Sequence, residues 1–173
     1  MFDPTIFDNL KVGFENYLYD LDNLTEEIKI TGRKDMLDMA TMSREFSLEF
    51  VLPERPDIKA EIYLKSTIQD LADEIMESTK GQPGCLLLVR FYKQVHDMDI
   101  DCSGIESLLS DIWELEHPPK QTLSYQFHQL SKSALNMIEI DFDRKINENQ
   151  MQDIPEVVSF MITTLEELDI LDQ

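Results

Sequence analysis

The sequence predicts an α+β fold, a mostly antiparallel sheet of about six or seven strands with three main helices packed on it. Three observations carry that reading. Apolar residues recur at every second position in short runs separated by polar turns. Three longer segments instead repeat their apolar residues at helical spacing behind a capping residue. The 173 residues are 42% hydrophobic and 29% charged, and a chain of this size removes roughly 70% of its unfolded surface from water without disulfides or a structural metal. We therefore expect one globular domain over residues 1–173, and no tract long enough for an interdomain linker interrupts it.

Along residues 8–20 two patterns compete. Leu10, Val12 and Phe14 alternate as in a strand, while Leu10, Phe14, Tyr17, Leu18 and Leu21 fall at helical spacing. Gly13 and Val12 are poor helix formers, which favours a strand, with a turn leading to a second strand at 27–31. Residues 35–42 read as a short helix carrying Met36, Met39 and Met42. Phe46, Leu48, Phe50 and Leu52, then Ile58, Ala60, Ile62 and Leu64, alternate with polar residues on either side of a Pro-containing turn, which predicts an antiparallel pair with one wet face.

Ser66 with Gln69 forms a capping-box pattern ahead of Ile68, Leu71, Ala72, Ile75 and Met76, predicting a helix with that apolar face. Residues 85–89 are apolar throughout and too short for a helix, as expected of a central strand covered on both sides. Ser103 with Glu106 opens a helix whose face is Ile105, Leu108, Leu109, Ile112 and Trp113, stopped by Pro118 and Pro119. Leu123, Tyr125 and Phe127, then Ile138, Ile140 and Phe142, suggest a hairpin. Asp153 caps a last helix with Pro155 in its first turn and Ile154, Val157, Val158, Met161, Ile162 and Leu165 inward.

Charge is the most distinctive property. Lys+Arg 15 against Asp+Glu 35 gives −20 at pH 7. Binding nucleic acid requires several cations to displace counterions, so direct contact with DNA or RNA is disfavoured, as is an anionic membrane surface. Asp3 and Asp8 stand where a secretory signal needs Lys or Arg, and no apolar run approaches the ~20 residues of a spanning helix. A cytoplasmic chain with Cys85 and Cys102 as free thiols is expected.

Residues 97–101 repeat aspartate as Asp97, Asp99 and Asp101, the spacing of a calcium loop, but Cys102 stands where the loop needs Gly and Leu108 where it needs a bidentate Glu. The simpler reading is a solvated loop whose acids favour a following helix N-terminus. Cys102 sits near His96 at that terminus, yet its acidic neighbours oppose a reactive thiolate. On the last hairpin, alternation groups Glu139, Asp141 and Asp143 with Ser124, Gln126 and His128, a set that could hold a divalent cation or equally form an ordinary wet face. No nucleotide-binding, zinc or nucleophile motif occurs, and no cofactor or catalytic residue is assigned.

Residues 94–119 and 146–173 contain no Lys or Arg. Their helices, expected at 103–117 and 153–169, place Asp111, Glu114, Glu116, Glu156, Glu166, Glu167 and Asp169 on outer faces. The expected function is a protein–protein interaction or regulatory module that docks a basic protein partner through these acids. Two alternatives are a small-molecule or metal-dependent enzyme using carboxylates with His96 or His128, and a nucleic-acid mimic that blocks a basic DNA- or RNA-binding protein. Clustered cations, Lys29, Arg33, Lys34 and Arg44 with Arg144 and Lys145, make self-association possible.

Overall fold

A computed structural model describes residues 5–77, 81–129 and 131–173, so Asp3 lies outside it. In chain order the elements are helix α1 (Thr5–Asn23), strands β1 (Lys29–Asp38), β2 (Ser43–Leu52) and β3 (Arg55–Ser66), helix α2 (Ile68–Ile75) and strand β4 (Cys85–Val95). Helix α3 (Met98–Trp113), strands β5 (Lys120–Ser124) and β6 (Ala134–Ile146), a 3-10 segment at Glu148–Asp153 and helix α4 (Ile154–Ile170) follow. The strands form one six-stranded sheet, β1-β2-β3-β4-β6-β5, with every neighbouring pair antiparallel. The α+β class is as expected, with four helices in place of three.

Period two builds the core. Phe46, Leu48 and Phe50 of β2, Ile62 and Leu64 of β3, Val89 and Phe91 of β4 and Ile138 and Ile140 of β6 share one side of the sheet. Onto it pack Phe7, Leu10, Phe14 and Leu18 of α1, Ile105 and Leu109 of α3, and Val158, Met161, Leu165 and Leu168 of α4. Each such side chain contributes about 1.5–3 kcal/mol when fully buried. Trp113 joins α3 to α4 through a 2.9 Å hydrogen bond from its Nε1–H to the Thr164 hydroxyl, and its ring lies 5.9 Å from Phe142 and 5.4 Å from Phe160.

The opposite side of the sheet carries none of these three helices; α2 meets its margin through the Asp70–Lys145 ion pair. At its centre Arg90 donates to Glu139 at 2.7 Å and to Glu61 at 3.1 Å, and the Tyr92 hydroxyl donates to Glu61 at 3.0 Å. The guanidinium stacks 4.2 Å above Tyr63. Burial opposes the Arg90 charge, but the hydrogen bonds to Glu139 and Glu61 outweigh it and raise its pKa. Strand β4 is central, as expected, but helices cover it on one side only, and the polar ladder occupies the other.

Several sequence expectations are overturned. Residues 8–20 are helical, not a strand: Phe7, Leu10, Phe14 and Leu18 line one buried stripe, and Val12 points outward. Gly13 lies where α1 passes so close to Met151 and Ile154 that a Cβ would collide, which explains a poor helix former there. The short helix expected at 35–42 is instead the end of β1 and a turn, with Met36 and Met39 exposed. Arg33 and Asp35 occupy core-side positions opposite Leu48 and Phe46, and they bind α1 through charge rather than apolar contact. That removes the alternation a strand usually shows. Arg33 pairs with Glu15 at 2.7 Å, and Asp35 accepts from Lys11 at 2.8 Å and Arg44 at 2.7 Å.

The cap of α2 is Thr67 with Asp70, one residue beyond the expected Ser66 and Gln69. Its predicted apolar face is largely in water, with Ile68, Ile75 and Met76 exposed and Leu71 buried. Helix α3 runs from Met98 to Trp113 rather than over 103–117, which leaves Glu114 as its left-handed C-cap and Glu116 beyond it, and α4 begins where expected although Asp153 makes no side-chain cap bond. Strand β5 ends at Ser124, so Tyr125 and Phe127 leave the hairpin and lie exposed.

Two outcomes test this packing. Burial acts to raise the Asp35 pKa, but hydrogen bonds from Lys11 and Arg44 prevail and hold it below 3.8. The stability from these pairs is therefore complete above pH 3.8 and lost as pH falls through the lower folded value. Asp35→Ala should lower unfolding free energy by about 1–2 kcal/mol at neutral pH, read from urea midpoints, and show no cost once the carboxylate is protonated. Burial first, and then Glu45, push the Tyr63 phenol up to about 12 from 10.0, so stability held below pH 10.0 is lost as pH rises toward about 12. An ultraviolet titration should show this tyrosine ionising late; ionisation at 10.0 contradicts the packing.

Candidate functional site

Helices α3 and α4 lie side by side on the core, held by the Trp113–Thr164 bond. Buried stripes face the sheet, which leaves the polar residues of both helices on one outer layer. Asp111, Glu114, Glu116, Glu156 and Glu166 are exposed, and Glu167 and Asp169 half-buried. Among the described residues Asp169 alone of these seven forms a salt bridge, 2.9 Å to Arg55. Neither helix contains a Lys or Arg.

Two clefts flank this layer, and both add carboxylates that the linear reading left out. One, of about 370 Å³, brings Glu26, Glu27 and Glu54 to Glu166 and Asp169 around Arg55. The other, of about 480 Å³, opens beside Trp113 and gathers Glu114, Glu116, His117, Glu139, Asp141 and Asp143, with Lys120 at its wall. Pairing of β5 with β6 stops at Lys120 opposite Glu139, so Asp141 and Asp143 lie beyond the end of β5. A register shift between Leu86 and Leu88 breaks the β6 alternation, and Asp143 has φ 54. Glu139, held by Arg90, and Asp141 thus line the Trp113 cleft and not the cavity that His128 lines. No group of three or more His, Cys, Asp or Glu among the described residues could hold a metal ion.

The aspartate triplet at 97–101 works as a helix start. Asp97 is the N-cap of α3 and accepts from the Ile100 N–H at 3.1 Å. Asp101 accepts from the His96 and Asp97 N–H groups at 2.8 and 3.1 Å. Asp99 sits in the first turn, favourable to the helix dipole. These bonds satisfy N–H groups that an α-helix leaves open, so the cluster has a structural cause.

His96 and His128, read separately in the sequence, line one open cavity of about 690 Å³ with Asp97, Met98, Tyr125 and Phe127. The His128 ring lies 4.0 Å from Phe127, and its backbone has φ 64. The lining carboxylate Asp97 caps α3, and no histidine–carboxylate salt bridge forms among the described residues.

Burial first, and then Asp101 and Asp99, raise the Cys102 thiol above 9.0. Burial and the charges of Asp70 and Glu74 push Cys85 up to about 12. Both thiols are therefore protonated at neutral pH. An aromatic disulfide reagent should modify the native protein slowly, Cys102 ahead of Cys85 as pH rises; a fast stoichiometric burst at neutral pH contradicts this. No described helix is long and apolar enough to cross a membrane. Compared with protein-family models, curated proteins and solved structures, the chain finds no match.

Proposed function

We propose that this chain is a protein-interaction module whose α3–α4 layer docks a basic surface of a partner protein. One observation carries the reading: two adjacent helices and the turn that ends α3 contain no cation and present carboxylates of which, among the described residues, Asp169 alone forms a salt bridge. Carboxylates lining concave, partly apolar clefts focus potential more strongly than the same charges spread on a convex face. The Trp113 cleft and the half-exposed Phe160 supply the apolar contact on which an electrostatically steered encounter settles.

A partner guanidinium or ammonium entering the Trp113 cleft meets Glu114 and Glu116 beside the edge of an aromatic cluster, where charge and stacking both favour Arg over Lys. The mimic alternative is a special case in which the basic partner is itself a nucleic-acid-binding protein, and competition by DNA or RNA for the captured partner identifies it. A ligand-binding reading rests on the cavity shared by His96 and His128, and a thermal-melt screen with divalent cations and small anions addresses it, since a ligand of the folded state raises Tm.

Replacing Asp111, Glu114, Glu166 and Glu167 together by Ala tests the main reading. The partner retained by the unmodified chain should bind the variant more weakly by about 1–4 kcal/mol, the sum of four surface charge contacts, with a flattened salt dependence and a lower association rate. Unchanged affinity and salt slope remove the α3–α4 layer as the docking surface.

A further inference from the structure

The side of the sheet that no packed helix covers differs in kind from the helical layer. Cations and carboxylates interleave on it in near balance, Lys34, Lys59 and Lys65 beside Glu45, Glu49 and Glu139. Along its middle run the half-buried Tyr63, Leu86, Tyr92 and Met137 around Arg90, the tyrosine, methionine and arginine mixture found at the centres of protein interfaces. The charges at that centre already have partners: Arg90 binds Glu61 and Glu139, and Tyr92 binds Glu61. Closing a second surface over them leaves no buried charge unpaired, which removes the largest cost of covering such a face.

We propose that two copies of this chain pair through these open sheet faces about a two-fold axis, with the helices on the outside. The available area suffices. Strands about 4.8 Å apart and about ten residues long at about 3.4 Å each make a face of roughly 24 by 34 Å, or about 800 Å², and a standard stable interface buries about 800 Å² on each partner. The charge distribution selects this face over any other. A net charge of −20 opposes self-association, and contact between helical layers would bring unneutralised carboxylates together. Back-to-back sheets about 10 Å apart instead send the two α3–α4 layers to opposite surfaces, roughly 30 Å or more from each other. That is several screening lengths at physiological salt, where the Debye length is about 8 Å. A near-neutral mosaic of both signs is also self-complementary under a two-fold rotation, as an isologous contact requires.

This pairing uses the side of the sheet opposite the α3–α4 layer, sharing with the Trp113 cleft the marginal Glu139 that Arg90 already binds, and the two respond oppositely to salt. Docking of a basic partner weakens as salt rises; pairing of two acidic chains through a balanced face tightens, because residual repulsion is screened. Sedimentation velocity of the full chain at micromolar concentration should give twice the 20.2 kDa chain mass, with a dimer fraction that grows with salt. The exposed lysines are the substitutions of choice, because neither Lys34 nor Lys59 forms a salt bridge among the described residues and neither is buried. Lys34→Glu with Lys59→Glu should weaken the dimer more than tenfold while leaving the circular dichroism spectrum unchanged, and Met137→Glu should do the same from the centre of the face. The four Ala substitutions on α3 and α4 should leave the dimer intact. A chain that stays at 20.2 kDa across concentration and salt, a dimer indifferent to the open-face substitutions, or one dissolved by the α3–α4 substitutions overturns the proposal.

Discussion

A six-stranded sheet with one apolar side has to be covered on that side, and how three helices do so decides the rest of the molecule. Helix α1 lies over β1 and β3, α4 over β2 and β3, and α3 over β4. Each helix turns a single stripe inward, so its remaining circumference is free of packing constraint. For α3 and α4 that circumference is acidic, and the Trp113 bond to Thr164 fixes the two faces as one layer. Because all three helices are needed on the core side, the other side of the sheet has to satisfy its own polar groups. The Arg90 ladder with Glu61, Glu139 and the two tyrosines does so.

The same packing accounts for where the negative charge is left over. Six of the 15 cations are committed to holding elements together: Lys11, Arg33 and Arg44 dock α1 on β1, Lys93 binds Asp172, Lys145 binds Asp70, and Arg90 organises the open sheet face. Structural pairs of this sort leave few cations to balance the helical layer, where, among the described residues, Arg55 alone forms a salt bridge with one of the seven acids. The excess is therefore local. It sits on the outward faces of α3 and α4, where solvent screens it and where it costs the fold least.

How much of this was legible in the sequence follows from which residues were doing one task and which two. The pairs at 46–52 and 58–64 were readable because their apolar residues serve the core and keep period two, and the strand from Cys85 because its unbroken apolar run is too short for a helix. Helix α1 was not, because Leu10 and Phe14 fit both periods and Gly13 follows close approach to Met151 rather than helix propensity. The end of β1 was hidden for the opposite reason: Arg33 and Asp35 hold core-side positions yet bond to α1 through charge, so a paired strand shows no apolar alternation. The α3 start was missed because Ser103 and Glu106 mimic a box, while the true cap, Asp97, was hidden in an aspartate repeat that suggested metal binding.

For the candidate surface, the two cation-free stretches were visible as runs, whereas the clefts were not, because their walls come from distant segments. Glu26, Glu27 and Glu54 reach Glu166 and Asp169 only through the way β1, β2 and β3 run past the end of α4. The two clefts are not equivalent as attractors. At the α4 end Arg55 already sits among the carboxylates and binds Asp169, so an incoming cation has to compete with a resident one. At the Trp113 end Arg90 neutralises Glu139, but Glu114, Glu116, Asp141 and Asp143 form no salt bridge among the described residues, and Lys120 at the wall pairs with none of them. Desolvating a cation is offset only where carboxylates are left without partners of their own. Under the proposed docking of a basic partner, the Trp113 cleft is therefore the anchor and the Arg55 cleft extends the contact.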